Sequence, residues 1–325
     1  MRFQERVAAC FKALATGDAV GKQTETLMRA DVLRWYPEGI KGFHGEPGSV
    51  IPRYVGKRYE WRIAEITDDT EQTIAVARAL LRTGEVRREL VGIELLQCRK
   101  SVHPGVQIWA FQQAGDPAGM AVAGDGSGAA MRVAPVGVIT CPDELDALVH
   151  AAYEASVPTH GGQLAISAAA AVAAAVSAAL EGKNAGEVVT TAVSASRLAE
   201  RFRPATTATP MSTCIETVYS YLAGRARLSA DDIAQQYFPD KPTTIIPLAI
   251  RLALVTESAE ETTLLASNLG GDSDSVASIG GTIAAALFPL SVNEEWFQVV
   301  RSVSSVECDE MLMLAGALAQ RRRRG

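Results

Sequence analysis

The sequence predicts an all-α fold, on three observations. Apolar residues recur with a period near 3.6 along almost the whole chain, while alternating period-2 runs are scarce. Ala supplies 53 of the 325 residues, and Ala has the best helix propensity with no side-chain entropy to lose. Aromatic residues make up only 6%, so the helices must bury one another through small side chains. The 48% hydrophobic and 21% charged residues exclude a disordered or fibrous chain. Continuous helical patterning favours one compact domain over residues 1–320, followed by a basic tail at 321–325.

The elements follow in order. Residues 4–15 read as a first helix ending at Gly17, with Gly17-Asp18-Ala19-Val20-Gly21 as its closing turn. Ile74, Ala77 and Leu81 mark one face of a helix over 70–81. The stretch 162–181 is a long Ala-rich helix closed by Gly182. It is apolar but short for a bilayer span. Further helices are expected at 185–201, 211–223, 229–237, 244–257 and 259–268. From Ser275 onward Val276, Ile279, Ile283 and Leu287 line one face, and Gly280-Gly281 permits close approach of a neighbouring helix.

Two segments break this pattern. Residues 37–66 hold Pro37, Gly39, Gly42, Gly45, Pro47, Gly48, Pro52 and Gly56 among Phe43, Arg53, Tyr54, Lys57, Arg58, Tyr59 and Trp61. A structureless loop of that length is expected to be functional, as a wall or lid that selects part of a substrate. Its aromatics would stack on a base and its cations meet a phosphate. The second is the glycine-rich turn Gly124-Asp125-Gly126-Ser127-Gly128, ahead of Met131-Arg132.

The net charge is −6 with four positive charges in Arg321–Arg324, which leaves 27 basic against 37 acidic residues in the body. So acidic a body argues against a nucleic-acid partner. The arginine run reads as a solvated tail. Five scattered cysteines without a CxxC pair fit free thiols and offer no thiolate metal site. No apolar leader follows Met1, and no membrane partner is expected. The expectation is a cytoplasmic protein.

The chemistry lies in two acidic motifs, each beside a predicted helix start. Thr67-Asp68-Asp69-Thr70 offers two carboxylates between two hydroxyls, more than helix capping needs. In Gly270-Gly271-Asp272-Ser273-Asp274-Ser275, an extended turn would point Asp272 and Asp274 the same way, with Ser275 as cap or further oxygen donor. If the motifs converge, their carboxylates need cations between them to stay ionised. Oxygen donors alone select hard ions such as Mg²⁺ or Mn²⁺, and the absence of His and Cys disfavours zinc.

These motifs, taken in order with GDAVG and Glu25, GSGAAMRVAPVG at 126–137 and Thr159-His160 before the Ala-rich helix, resemble the ADP-ribosylglycohydrolase family. The resemblance spans residues 17–281. It implies two Mg²⁺ or Mn²⁺ ions in a central cleft, held by Thr67, Asp68 and Asp69 from one side and by Asp272, Asp274 and Ser275 from the other. It implies Glu25 and Asp69 as catalytic carboxylates, and Gly126, Ser127, Gly128, Met131 and His160 as substrate contacts. Family members usually carry Thr where Ser275 stands, and many carry Asn where Ser127 stands. The implied activity is hydrolysis of a ribosyl C1 bond that frees ADP-ribose from a modified protein or a related compound. The alternatives are a hydrolase of a small ribosylated metabolite or nucleoside, and a non-catalytic ADP-ribose binder.

Overall fold

The computed structural model describes residues 1–102, 106–204, 207–222 and 229–322. Among these there is no strand, only an isolated antiparallel bridge between Val50 and Arg62. The helices are α1 (Phe3–Gly21), α2 (Arg29–Trp35), α3 (Asp68–Thr83), α4 (Arg88–Leu95), α5 (Val106–Ala114), α6 (Gly128–Met131), α7 (Ala134–Ile139), α8 (Leu145–Ser156) and α9 (Gln163–Leu180). They continue as α10 (Ala185–Ala199), α11 (Met211–Leu222), α12 (Ala230–Gln236), α13 (Pro242–Thr256), α14 (Ala259–Ser267), α15 (Ser273–Leu287), α16 (Glu294–Val303) and α17 (Ser305–Arg322).

The Ala-rich α9 is the axis. Every residue from Leu164 to Leu180 is buried, and α7, α8, α10 and α15 pack around it. Its 18 residues have the length and composition to cross a membrane, yet the whole span lies inside the bundle. Ala on all faces lets several helix backbones approach at once, so the core closes without aromatic bulk.

α1 and α15 form the closest seam. A Cβ on Gly17 would lie 2.4 Å from the Ala277 carbonyl oxygen, and one on Gly21 would lie 2.5 Å from the Asp274 Cα. These glycines therefore do not end α1 at Gly17, as the sequence suggests. The helix runs through both to Gly21, and the missing side chains serve packing rather than a turn. Gly280 and Gly281 behave as expected, with added Cβ atoms 2.8 Å from Thr262 Cγ2 and 3.2 Å from the Ala13 carbonyl oxygen.

The structure revises two further expectations. The segment 37–66 is packed rather than structureless. Ile51 N donates to Trp61 O and Ile63 N to Ser49 O, each at 2.8 Å, while Ile51, Trp61 and Ile63 are buried. The arginine run is not a solvated tail from residue 321. Arg321 and Arg322 belong to α17, and their guanidiniums reach carbonyls in the last turns of other helices. Arg321 donates to Leu80 O at 2.9 Å, and Arg322 to Gly137 O at 2.9 Å and Val138 O at 2.8 Å. Leu80 O also accepts from Gly84 N at 2.8 Å, the cap of α3, and cations are favoured at that end of the helix dipole. Arg323, Arg324 and Gly325 lie outside the described residues.

Candidate active site

The two acidic motifs meet across the α1–α15 seam. α3 starts at Asp68 with Thr67 as its cap, the Thr67 hydroxyl accepting from Asp69 N at 3.3 Å. α15 starts at Ser273, so Asp272 sits at the cap position and Asp274 in the first turn, not in an extended turn. The glycines before it are required. Gly270 and Gly271 have φ of +77° and +65°, and Cβ atoms there would strike Leu27 O and Pro239 O. Gly271 N donates to Leu27 O at 2.8 Å and Thr26 N to Gly271 O at 2.6 Å, which fixes this turn to the segment that carries Glu25.

One cleft is lined by Glu25, Asp68, Asp69, Asp272, Asp274 and Ser275 together with Gly126, Ser127, Gly128, Met131 and His160. Thr67 is buried beside the start of α3, where its hydroxyl accepts from Asp69 N with one of its two lone pairs. Gln72, Ser101, Gln107 and Ile108 also line the cleft, although no sequence motif marks them. Each carboxylate has an oriented donor. Ser278 Oγ donates to Asp69 Oδ1 at 2.7 Å, Ser101 Oγ to Asp68 Oδ2 at 2.8 Å, and Ser127 Oγ to Asp272 Oδ2 at 2.8 Å.

Burial pushes the carboxyls of Asp68, Asp69, Asp272 and Asp274 above the ordinary range. Mutual repulsion adds to this: Asp69 feels Asp18, Asp68 and Asp272, while Asp274 feels Glu25, Asp272 and Asp69. The donor set is therefore all oxygen, negative and short of positive charge, which suits a hard divalent cation. Among the described residues, however, no three His, Cys, Asp or Glu side chains stand close enough to form a ready-made ion-binding group.

Two residues without an assigned role in the sequence reading hold this site in place. Asp18, fully buried on α1, accepts from Thr67 N at 2.9 Å, from Thr70 N at 3.2 Å and from the Thr70 hydroxyl. It thereby ties α1 to the start of α3, while its Oδ1 is buried without a hydrogen-bond partner. Burial raises its pKa to about 6 against those donors. Lys22 is 1% exposed and pairs with Glu25 and with Asp274 Oδ2, the latter at 3.3 Å, under the Trp61 ring. Burial opposes its charge, but Glu25 and Asp274 outweigh that and raise its pKa well above the ordinary lysine value.

The loop 37–66 supports Glu25 from behind. Tyr54 Oη donates to Glu25 Oε2 at 3.0 Å, and Arg53 donates to Tyr54 Oη at 2.6 Å and to Lys22 O at 3.0 Å. None of Phe43, Tyr54, Tyr59 or Trp61 lines the cleft. The expected stacking platform is instead a buttress.

Known proteins bear on this geometry. YegU of Escherichia coli (strain K12), itself uncharacterized, is 27% identical over 301 residues, covering 87% of each chain. An uncharacterized protein of Archaeoglobus fulgidus is 27% identical over 325 residues, covering 94% of each. A solved ADP-ribosylglycohydrolase-related protein complex matches with a TM-score of 0.69 and 25% identity, over 98% of this chain and 99% of that one. The family model described as ADP-ribosylglycohydrolase matches residues 1–325, and the chain belongs to that family.

Proposed function

We propose that the chain is a metal-dependent hydrolase that cleaves a ribosyl C1 glycosidic bond, releasing ADP-ribose from a modified protein side chain or a related ADP-ribosyl compound. The observation that carries this reading is the convergence of Glu25, Asp68, Asp69, Asp272 and Asp274 in one cleft beside the Gly126–Gly128 turn. Family membership supports a glycohydrolase.

Thr67, Asp68, Asp69, Asp272 and Asp274 with the Ser275 hydroxyl would hold two Mg²⁺ or Mn²⁺ ions, which supply Lewis acidity and offset the crowded negative charge. The remaining chemistry belongs to the chain. Departure of the aglycone leaves an oxocarbenium-like sugar, and the buried carboxylates stabilise its positive charge. Glu25, anchored by Lys22 and Tyr54, has a fixed position from which to accept a proton. The Gly126–Gly128 turn, Met131 and His160 form the far wall and take the phosphate-bearing part of the ligand. Five free cysteines support a reducing, cytoplasmic setting.

The test is product analysis after incubation with ADP-ribosyl-arginine, ADP-ribosyl-serine, O-acetyl-ADP-ribose and plain nucleosides, with and without Mn²⁺. Free ADP-ribose released only with the cation is the expected result. Asp68→Asn and Asp272→Asn should each abolish turnover and weaken Mn²⁺ binding while the circular dichroism spectrum stays helical. Full turnover in both variants overturns the reading.

A further inference from the structure

Arg132 is fully buried, and its guanidinium hydrogen-bonds to neutral oxygens. Its guanidinium donates to Gln72 Oε1 at 2.8 Å, Ala155 O at 2.9 Å and Thr159 Oγ1 at 2.8 Å. A guanidinium has donors only, so it dictates the direction of every bond that follows. On one branch Gln72 must turn its amide nitrogen away, and that nitrogen donates to Ser101 Oγ at 2.9 Å. Ser101 in turn donates to Asp68. On the other branch Thr159 Oγ1 lies 2.7 Å from His160 Nδ1.

The second branch decides a tautomer. Thr159 is buried, and its hydroxyl contacts only Arg132 and His160 among the described residues. Were Nδ1 protonated, the hydroxyl would accept twice and its own proton would be left without a partner in the interior, at a cost of about 1–3 kcal/mol. If the hydroxyl donates to Nδ1 instead, the hydroxyl and Nδ1 are both satisfied and the ring proton resides on Nε2, which faces the cleft. That nitrogen faces the glycine turn, 3.2 Å and 3.1 Å from where Cβ atoms of Gly126 and Gly128 would stand. Burial, helped by the Arg132 charge, lowers the His160 pKa to about 3, so the ring is neutral at physiological pH.

We propose that Arg132 and Thr159 are positioning residues that lock His160 in its Nε2–H tautomer, so that the cleft presents a fixed, uncharged hydrogen-bond donor beside the Gly126–Gly128 turn. Such a group donates to a ligand oxygen and rejects an N–H group at the same place. Its ligand, a phosphate or ribose oxygen of ADP-ribose, rests on the function proposed above; the tautomer does not.

The experiment is long-range ¹H–¹⁵N correlation of the imidazole nitrogens in the full ¹⁵N-labelled chain, with His160→Gln assigning the signals. The Nε2–H pattern is expected in the wild type and in Thr159→Ser, and a mixed or reversed pattern in Thr159→Val. Titration with ADP-ribose should show binding about tenfold weaker in Thr159→Val than in the wild type, with Thr159→Ser restored to near wild-type affinity. An Nδ1–H ring in the wild type, or an unchanged pattern in Thr159→Val, overturns the proposal. A wild-type chain that shows the Nε2–H pattern, loses it in Thr159→Val and ignores ADP-ribose upholds the positioning pair and strikes only the substrate reading.

Discussion

Gly21→Ala tests whether the seam between α1 and α15 sets the geometry of the cleft. The new methyl would stand 2.5 Å from Asp274 Cα, 2.6 Å from Ser273 O and 2.7 Å from Asp274 N. All three are backbone atoms, so no rotamer change can relieve the clash. Restoring ordinary contact at about 3.4 Å requires the helices to part by about 0.9 Å at this level, which carries Asp272 and Asp274 away from Asp68 and Asp69. Overpacking of this kind costs about 1–3 kcal/mol. Urea denaturation should show that loss, and titration calorimetry should show weaker Mn²⁺ binding. Gly316→Ala is the control with opposite sign. It lies within α17 with nothing within 4 Å of its added methyl, so helix propensity should make it up to about 1 kcal/mol more stable. A Gly21→Ala protein with wild-type stability and cation affinity would refute the argument.

Two other outcomes follow from the same geometry. Asp18 has a folded-state pKa of about 6 against an ordinary 3.8, so between those values the native state holds the extra proton and stability falls as pH rises through that window. That one group contributes on the order of 3 kcal/mol, and Asp68, Asp69, Asp272 and Asp274 shift in the same direction. Cation-free protein should therefore resist urea better at pH 5 than at pH 7.5, with Mn²⁺ restoring the difference at pH 7.5; equal midpoints would count against it. Trp61→Ala should cost about 3–5 kcal/mol and lower turnover, because the ring is buried and lies over Lys22, which holds Glu25. A variant as stable as the wild type would mean that loop 37–66 is an adornment rather than a buttress.

The acidic motifs were legible because each carries more carboxylate than a helix start requires. Asp68, Asp69, Asp272 and Asp274 do share one cleft. Long helices were legible for a different reason: α9 and α15 run for four turns or more, enough for a period to declare itself. α2 and α4 have seven and eight residues, too few turns to separate their period from chance. Asp18 and Lys22 escaped assignment because periodicity reports which face is buried, not which polar groups meet inside. No sequence motif marks Lys22, and only the fold shows it beneath Trp61. In 37–66 glycine and proline dominate the local signal. The buried Ile51, Trp61 and Ile63 are spread too widely to register as either helix or strand.

The placement of Arg321 and Arg322 has a practical side. A truncation at residue 320 looks harmless on charge pattern alone, yet it removes the latch that clips α17 onto the far ends of α3 and α7. α3 bears Asp68 and Asp69 at its opposite end, so loosening it there propagates along a rigid rod into the cleft. Anyone trimming this chain for crystals should leave those two arginines in place.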